Sequence, residues 1–176
     1  MATMKAVQIH EFGDVDVLKY EDIEQTEPQA GEVLVRVQAA GINPIDCLSR
    51  TMPIPGITAG HFPYVLGLDI SGTVVALGEG VTQFAPGDEV YGMLLKGKGY
   101  SEYIAAPVTD LALKPQRLTH QEAAGLPLAG LTAWQALFDT AHLQAGQTVF
   151  ISGGAGGVGH YAIQLAKWKG AQVVTT

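Results

Sequence analysis

The sequence predicts a β-rich barrel or sandwich followed by one strand–helix–strand unit of an α/β fold. The first part of the chain consists of short runs rich in Val, Ile, Leu or Tyr, bounded by Gly, Pro, Asn or Asp, which is typical of closely spaced strands and turns. From Thr119 onward the apolar residues follow helical spacing, and two continuous apolar runs flank a further helical segment. An all-β region therefore gives way to an α/β region.

Six segments of the first part are predicted as strands. In chain order they are residues 5–10, 32–41, 70–78, 88–95, 100–107 and 110–115. Residues 48–63 differ from them, since they contain three prolines and show no clear period. We expect an irregular loop there, of a length at which loops usually carry function or move.

The second part opens with a helical segment that carries its own start and break signals. Thr119 is followed three residues later by Glu122, which is the spacing of a capping box. Apolar residues then recur at helical intervals, and Pro127 divides the segment into two helices.

A glycine-dense stretch, ISGGAGGVGH over residues 151–160, lies at a predicted strand-to-helix junction. The strand covers residues 148–152, the helix covers 158–170, and a second buried strand follows over 171–176. Together they form one strand–helix–strand unit.

Composition and charge exclude several classes of protein. Of the 176 residues, 47% are hydrophobic and 15% charged, which gives no reason to expect disorder. A net charge of −7, with only 10 Lys and Arg in no cluster, argues against a nucleic-acid partner or an anionic membrane surface. No apolar window has the length of a membrane span, and the N-terminus lacks an apolar signal region. The single cysteine, Cys47, fits a reducing compartment, so we expect a soluble cytoplasmic protein.

The glycine spacing is that of a dinucleotide fingerprint. Gly154, Gly156 and Gly159 satisfy GxGxxG, and Gly153 with the same last two glycines satisfies a looser spacing. Such glycines let phosphate oxygens reach backbone N–H groups at a helix N-terminus, and the last one lets helix and strand pack closely. A tight turn without a ligand is the alternative.

The fingerprint is incomplete in this chain. The residue that selects the ribose 2′ substituent normally follows the second strand, about 20 residues after the glycines, whereas the sequence ends at Thr176. One strand–helix–strand unit also leaves both edges of its sheet unpaired. We therefore expect a truncated chain.

Four stretches carry a family resemblance: GINPIDCLSR (41–50), LGLDISGTVVALGEGVTQFAPGDEVYG (66–92), LPLAGLTAWQAL (126–137) and GQTVFISGGAGGVGHYAIQLAK (146–167). With them, the whole chain resembles the medium-chain dehydrogenase/reductase superfamily, and within it the zinc-independent quinone oxidoreductase (zeta-crystallin-like) branch. The resemblance implies a β-rich GroES-like barrel, the catalytic domain, over residues 1–120. Residues 121–176 would be the N-terminal part of a Rossmann dinucleotide-binding domain, ending after its first βαβ unit.

The resemblance also bears on metal binding. Zinc-dependent members carry ligands in a GxCxxD element, in GHE and before the domain-joining helix, where this sequence has Asn43, Leu68 and Leu128. The histidines show no HxxxH pairing, so a zinc site would lack the three or four ligands it needs. We expect no metal. Cys47 is interpreted as a small buried apolar residue rather than a nucleophile.

The resemblance implies an oxidoreductase that uses NADPH, with NADH not excluded, to transfer a hydride to a quinone or an α,β-unsaturated carbonyl. Asn43 is expected near the nicotinamide and substrate as an oxyanion donor, or is only a turn former before Pro44. Thr132 is expected at the nicotinamide end, or as a helix residue at the domain junction. The remaining phenols, Tyr64 and Tyr100, are candidates for a catalytic role, with amphipathic packing as the alternative.

The resemblance further assigns the glycine-rich turn to the cofactor. The residues expected to bind it there are Gly153, Gly154, Ala155, Gly156, Gly157, Val158 and Gly159. Asp46, beside Asn43, is interpreted as a loop-capping carboxylate. A small-molecule quinone or enone substrate and a homodimer of the full-length protein are also implied.

Two other functions stay open. One is a non-catalytic GroES-like structural or assembly module with a vestigial nucleotide turn. The other is an enoyl-thioester reductase, which is less favoured because Leu48, Arg50 and Met52 stand where related enzymes carry a proton-donating tyrosine.

Overall fold

The computed structural model describes residues 2–57 and 61–176. The chain divides into two compact units, Met1–Gly125 and Leu126–Thr176. The domain boundary placed after residue 120 stays a prediction.

The first unit is built from strands with two short helices. Its strands are β1 (Thr3–Ile9), β2 (Lys19–Glu24), β3 (Glu32–Ala40), β4 (Tyr64–Val65), β5 (Asp69–Leu77), β6 (Glu89–Met93), β7 (Tyr103–Pro107) and β8 (Leu111–Leu113). The helices are α1 (Pro44–Thr51) and α2 (His120–Ala124), and single 3-10 turns cover Val15–Val17 and Val108–Asp110. One sheet has the order β2-β1-β4 and the other β7-β3-β5-β6-β8.

Backbone hydrogen bonds join these two sheets into a barrel. The Val7 N–H donates to the Tyr100 carbonyl at 2.8 Å, and the Glu102 N–H donates to the Lys5 carbonyl at 3.0 Å. The core inside the five-stranded sheet consists of β-branched and other aliphatic side chains with exposed fractions of 5% or less, namely Val33, Val35, Ile70, Val74, Val90, Leu94, Ile104 and Ala106. Burial of this inward-facing set stabilises the barrel.

The structure corrects the predicted loop over residues 48–63. Its first residues belong to α1, which begins directly after Asn43 and ends at Thr51. Pro44 favours this start because its fixed φ suits the first helical position, and the prolines at 53 and 55 follow the helix rather than interrupt it. Residues 58–60 of the predicted loop lie outside the described residues.

The predicted strands are found, with shifts at their ends, and two strands were missed. β2 has no buried residue and is mostly charged, and it is held by antiparallel pairing with β1 from Thr3↔Glu24 to Gln8↔Lys19. β4 is two residues long and pairs with the end of β1. Neither has a hydrophobic pattern of its own, so neither was predicted.

The second unit begins at α3 (Pro127–Trp134), after the break that Pro127 predicts. The capping box before α2 is confirmed, because the Thr119 hydroxyl oxygen accepts the Glu122 N–H and the Glu122 carboxylate accepts the Thr119 N–H. A π-helical segment, Gln135–Thr140, extends α3 and was not predicted.

The strand–helix–strand unit is present as predicted. β9 (Thr148–Ile151) and β10 (Gln172–Thr175) pair in parallel, with α4 (Gly159–Trp168) between them. The buried core of this unit consists of Ala133, Leu137, Leu143, Ile151, Ala162, Ala166 and Ala171. Over residues 2–57 and 61–176, none of the helices combines the length and the apolar character that a membrane span needs.

Candidate functional site

The loop between β3 and α1 holds the expected substrate-side residue Asn43. Asn43 precedes the helix with an extended backbone (φ −122°, ψ 155°), and Pro44 fills the first helical position. The Asn43 N–H donates to Oδ2 of Asp46 at 2.7 Å, so a carboxylate satisfies a backbone donor at the helix start. The interpretation of Asp46 as a loop-capping carboxylate is confirmed. Contact between Asn43 and a substrate stays a prediction.

The carboxamide of Asn43 forms a hydrogen bond with a second carboxylate, that of Asp69. Its Nδ2 donates to Oδ2 of Asp69 at 3.0 Å, while the Asn43 side chain remains partly exposed. Asp69 begins β5 and is 1% exposed. Its backbone carbonyl also accepts the Gly41 N–H at 2.9 Å. A Cβ on Gly41 would collide with the Asp69 side chain, so glycine is required for this close approach.

Asp46 is a buried carboxylate surrounded by donors. It is 5% exposed, and besides the Asn43 N–H it accepts the Tyr100 hydroxyl at 3.0 Å and the backbone N–H of Gly67. Burial raises the pKa of Asp46, and these three hydrogen bonds act in the opposite direction without reversing the shift. Loss of hydration therefore outweighs the donors at this carboxyl.

Tyr100 lies over the same loop and keeps its proton. Its hydroxyl oxygen is 3.3 Å from the Gly41 carbonyl as well as 3.0 Å from Asp46. Burial first, and the neighbouring Asp46 charge second, raise the pKa of Tyr100 well above its usual range. The ring covers Gly67, whose φ of +93° and lack of a side chain make room for it. These contacts make Tyr100 a structural donor to Asp46.

Tyr64, the other candidate phenol, bonds to backbone carbonyls. Its hydroxyl donates to the Ile57 carbonyl at 2.8 Å and lies 3.5 Å from that of Lys96. Burial, followed by the charge of Asp46, raises the pKa of Tyr64. These contacts favour the packing alternative, and a catalytic role for Tyr64 stays a prediction.

Leu68 is one of the residues at the positions where zinc-dependent members have ligands, and the expectation that this protein binds no metal stays a prediction. Leu68 is 4% exposed in the barrel core. Within the described part of the chain, no three His, Cys, Asp or Glu side chains are grouped so that they could hold a metal ion.

The expectation that Cys47 is buried is wrong, because its side chain is exposed on α1. The helix turns it outward while neighbouring Asp46 takes the buried position.

In the second unit, Thr132 lies on α3 and is exposed. Its hydroxyl donates to the Leu128 carbonyl one turn earlier at 2.7 Å. This bond is common for threonine in helices, and it leaves the hydroxyl oxygen able to accept a further hydrogen bond. The expected nicotinamide contact of Thr132 stays a prediction.

The glycine-rich turn joins β9 to α4, and three of its glycines serve the fold. A Cβ on Gly154 would collide with the side chains of Thr175 and Ile163. Gly153 adopts a positive φ of +69°, which glycine tolerates best. A Cβ on Gly159 would collide with the carbonyl of Gly153 and the Cα of Gly154. Close packing of the helix start on the turn therefore requires glycine at 159, the last fingerprint position.

Gly157 differs from these glycines, because neither packing nor backbone conformation requires glycine at this position. A Cβ there would meet nothing within 4 Å, and its φ is not positive. Over residues 2–57 and 61–176, the N–H groups of Ala155, Gly157 and Val158 donate to no backbone carbonyl. A turn with free donors and open space above a glycine at a helix N-terminus suits a pyrophosphate. The turn residues therefore fit a dinucleotide.

Sequence reasoning missed Asp69 as a site residue. A signal was present, since an acidic residue interrupts the apolar stretch VLGLDISG, and buried carboxylates are retained where they have partners. Its partner Asn43 lies 26 residues earlier, so the pairing itself appears only in three dimensions.

The comparisons with known proteins agree with this architecture. Residues 29–116 match the alcohol dehydrogenase GroES-like domain. The chain is 33% identical over 98% of its length to quinone oxidoreductase of Rattus norvegicus, covering 52% of that protein. It is 36% identical over 93% of its length to that of Lama guanicoe, covering 49%. The chain thus spans about half the length of these relatives.

Solved structures give the same result. The chain superposes on quinone oxidoreductase from Coxiella burnetii with a TM-score of 0.90 and 41% identity, covering 99% of this chain and 56% of the other. A mycobacterial protein in complex with NADPH gives 0.86, with 35% identity and coverage of 98% and 52%. The CurK enoyl reductase gives 0.88, with 33% identity and coverage of 99% and 54%.

A barrel of this topology followed by a strand–glycine turn–helix–strand unit defines the medium-chain dehydrogenase/reductase class. The chain belongs to this superfamily, in its quinone oxidoreductase-like branch, and contains its GroES-like barrel and the first βαβ unit of its Rossmann fold.

Proposed function

We propose that the full-length protein is a zinc-independent reductase that passes a hydride from NADPH, in preference to NADH, to a quinone or an α,β-unsaturated carbonyl. The observation that carries the proposal is the partly exposed Asn43 carboxamide, held on buried Asp69, where zinc-dependent members have a metal ligand. The names of the quinone oxidoreductase relatives and the NADPH complex of a structural neighbour support it. A cytoplasmic homodimer belongs to the same proposal.

The chemistry assigned to Asn43 is stabilisation of a developing oxyanion. A bound reduced nicotinamide supplies the hydride. Quinones and enones are electrophilic without a Lewis acid, so a hydrogen-bond donor aimed at the carbonyl oxygen stabilises the charge that develops there. One Nδ2 hydrogen of Asn43 is bonded to Asp69, and a primary amide has a second one to donate.

The phenols near Asn43 are less suited to proton donation. Tyr64 and Tyr100 both have raised pKa values, and their hydroxyls already donate to the Ile57 carbonyl and to Asp46. An efficient general acid has a pKa near the working pH. In the proposed reaction, solvent supplies the proton to the product oxygen, and Tyr64 stays the alternative donor.

The cofactor is assigned to the turn over residues 153–159. Its phosphates would lie above Gly157, within reach of the free N–H groups of Ala155, Gly157 and Val158. The positive end of the α4 dipole favours the same placement. Thr132 would contact the nicotinamide end, as the family resemblance implies.

Reduction of an enoyl thioester is the second candidate, and the likeness to the CurK enoyl reductase is the observation that favours it. Both reactions deliver a hydride to an activated double bond, so the nucleotide turn and Asn43 would serve either. The difference lies in the acceptor.

The first experiment is a fluorescence titration of the 176-residue chain with NADPH and with NADH, following the nucleotide and the emission of Trp134 and Trp168. Saturable binding with a preference for NADPH supports the assignment of the turn. Absence of binding in a sample that circular dichroism shows to be folded contradicts it for this chain.

The full-length protein is then assayed with a quinone, an enone and an enoyl thioester, with and without a chelator. Chelator-resistant turnover of quinone or enone is the expected result. Turnover of the thioester alone would establish the second candidate, and chelator-sensitive turnover would overturn the zinc-independent assignment. Tight nucleotide binding without turnover of any acceptor would favour the non-catalytic module.

A further inference from the structure

We propose that Asp69 is a positioning residue, whose buried carboxylate fixes the direction in which the Asn43 carboxamide presents its free hydrogen to the substrate. The inference rests on the proposed function, because it assigns a partner to the oxyanion donor of that reaction. The proposed reaction then also requires Asp69, although this residue contacts neither substrate nor cofactor in the proposal.

The first argument is the rigidity of the platform. Asp69 opens β5, which lies between β3 and β6 in the middle of the five-stranded sheet. It is 1% exposed, and its neighbours Leu68 and Ile70 are buried in the barrel. A side chain in such a packed strand has little freedom to change rotamer.

The second argument is that Asp69 holds the loop at two points. Its backbone carbonyl accepts the Gly41 N–H at 2.9 Å, and its Oδ2 accepts Asn43 Nδ2 at 3.0 Å. Asp46 separately holds the Asn43 main chain through the 2.7 Å bond to its N–H. The backbone and the side chain of Asn43 are therefore fixed by different carboxylates.

The third argument concerns the choice of a carboxylate. The NH2 end of the Asn43 amide faces Asp69, because its Nδ2 donates to Oδ2 of the carboxyl group, whose oxygens can accept that hydrogen. That choice determines where the amide oxygen and the second hydrogen point. A neutral amide at position 69 could pair with either end of the Asn43 amide, and the orientation would no longer be unique.

The kinetic test compares D69N with S71A in the full-length protein. Ser71 lies on the same strand, is 0% exposed and bonds to the Val90 carbonyl and to His120, so S71A loses buried hydrogen bonds away from Asn43. D69N is expected to lower kcat by about tenfold to hundredfold and to leave the nucleotide KM unchanged. The loss should be smaller than that caused by removal of an oxyanion donor, because the Asn43 amide is still present but is no longer held in one orientation. S71A is expected to keep kcat even if its thermal midpoint falls.

A double-variant cycle separates positioning from general damage. If Asp69 acts through Asn43, D69N added to N43A lowers kcat no further than N43A alone. Independent, multiplicative losses would overturn the proposal, and so would equal losses of kcat in D69N and S71A.

A spectroscopic test answers the structural question without catalysis. In 15N-labelled 176-residue chain, the Asn43 side-chain amide should give two well-separated proton resonances, with the bonded hydrogen protected from solvent exchange. D69N should move the bonded hydrogen to the shift of a free side-chain amide and speed its exchange, whereas S71A should not. An unprotected Asn43 amide in the wild type overturns the positioning role. If instead the amide is protected but no acceptor is turned over, the proposed function fails while the attachment to Asp69 stands.

Discussion

The Tyr100 hydroxyl donates to Oδ2 of Asp46 at 3.0 Å, and this bond joins the segment before β7 to the start of α1. The same oxygen accepts the Asn43 N–H, so the tyrosine supports the loop that carries the candidate oxyanion donor. Because Asp46 is buried, each of its donors lowers the cost of keeping a carboxyl group away from water.

Replacement of Tyr100 by phenylalanine should therefore destabilise the barrel. The Y100F variant loses one donor to Asp46 and retains the ring over Gly67, so the expected loss is about 1–3 kcal/mol of unfolding free energy. Chemical denaturation measures it. The matched control is Y103F, since the Tyr103 hydroxyl makes no hydrogen bond within the described residues. Equal, small losses in both variants would show that the Tyr100–Asp46 bond contributes nothing to stability.

The raised pKa of Asp46 predicts a pH dependence with a definite sign. The folded state holds the proton more tightly than the unfolded chain, whose Asp has a pKa near 3.8. The contribution of Asp46 to stability is then fully present below that value and is lost as pH rises through the folded-state pKa. Relative to D46N, the wild type should lose stability with rising pH across this window. Parallel stability curves from pH 3 to pH 8 would contradict the shift.

Gly67 should tolerate alanine far less well than Gly31. Both have positive φ angles, +93° and +77°, but a Cβ on Gly67 would strike the Tyr100 ring whereas one on Gly31 would meet nothing within 4 Å. The backbone cost of about 1–2 kcal/mol is common to the two variants. G67A should therefore lose about 1–3 kcal/mol more than G31A, the usual cost of overpacking. Urea denaturation of the pair checks this, and similar losses would mean that the ring moves aside at little cost.

Local signals account for the parts of the fold that the sequence predicted correctly. The Thr119–Glu122 capping box and the break at Pro127 act over a few residues, so their geometry follows from the sequence itself. β2 could not be predicted in this way, because its charged residues are held by the register of β1. The pair Asn43-Pro44 is a local signal for the start of α1. The three prolines in residues 48–63 instead led to the prediction of a loop that included the end of this helix.

The candidate site was predictable only in part, for the same reason. The glycine turn is contiguous in sequence, and its glycines fill the roles that the fingerprint predicts at Gly153 and Gly159. The pairing of Asn43 with Asp69 depends on how β3 and β5 meet across a turn-rich segment. Asp69 is buried because β5 lies in the middle of the sheet, and no short stretch of sequence around it predicts that burial.

Gly157 supplies the most direct test of the nucleotide turn. A methyl group at 157 meets no protein atom, so G157A should leave the unfolding free energy within about 0.5 kcal/mol of the wild type. It would nevertheless occupy the space where phosphate oxygens approach the backbone. We expect G157A to weaken NADPH binding at least about tenfold, which corresponds to about 1.4 kcal/mol.

The control for this variant is G130A, on α3 of the same unit, where an added Cβ comes no closer than 3.8 Å to its nearest neighbour, Leu126. Alanine favours a helix over glycine by about 1 kcal/mol, so G130A should be at least as stable as the wild type and bind NADPH normally. Fluorescence titration of both variants gives the comparison. If G157A binds NADPH as the wild type does, the space above Gly157 is not where the pyrophosphate lies, and the glycine there serves some purpose other than phosphate approach.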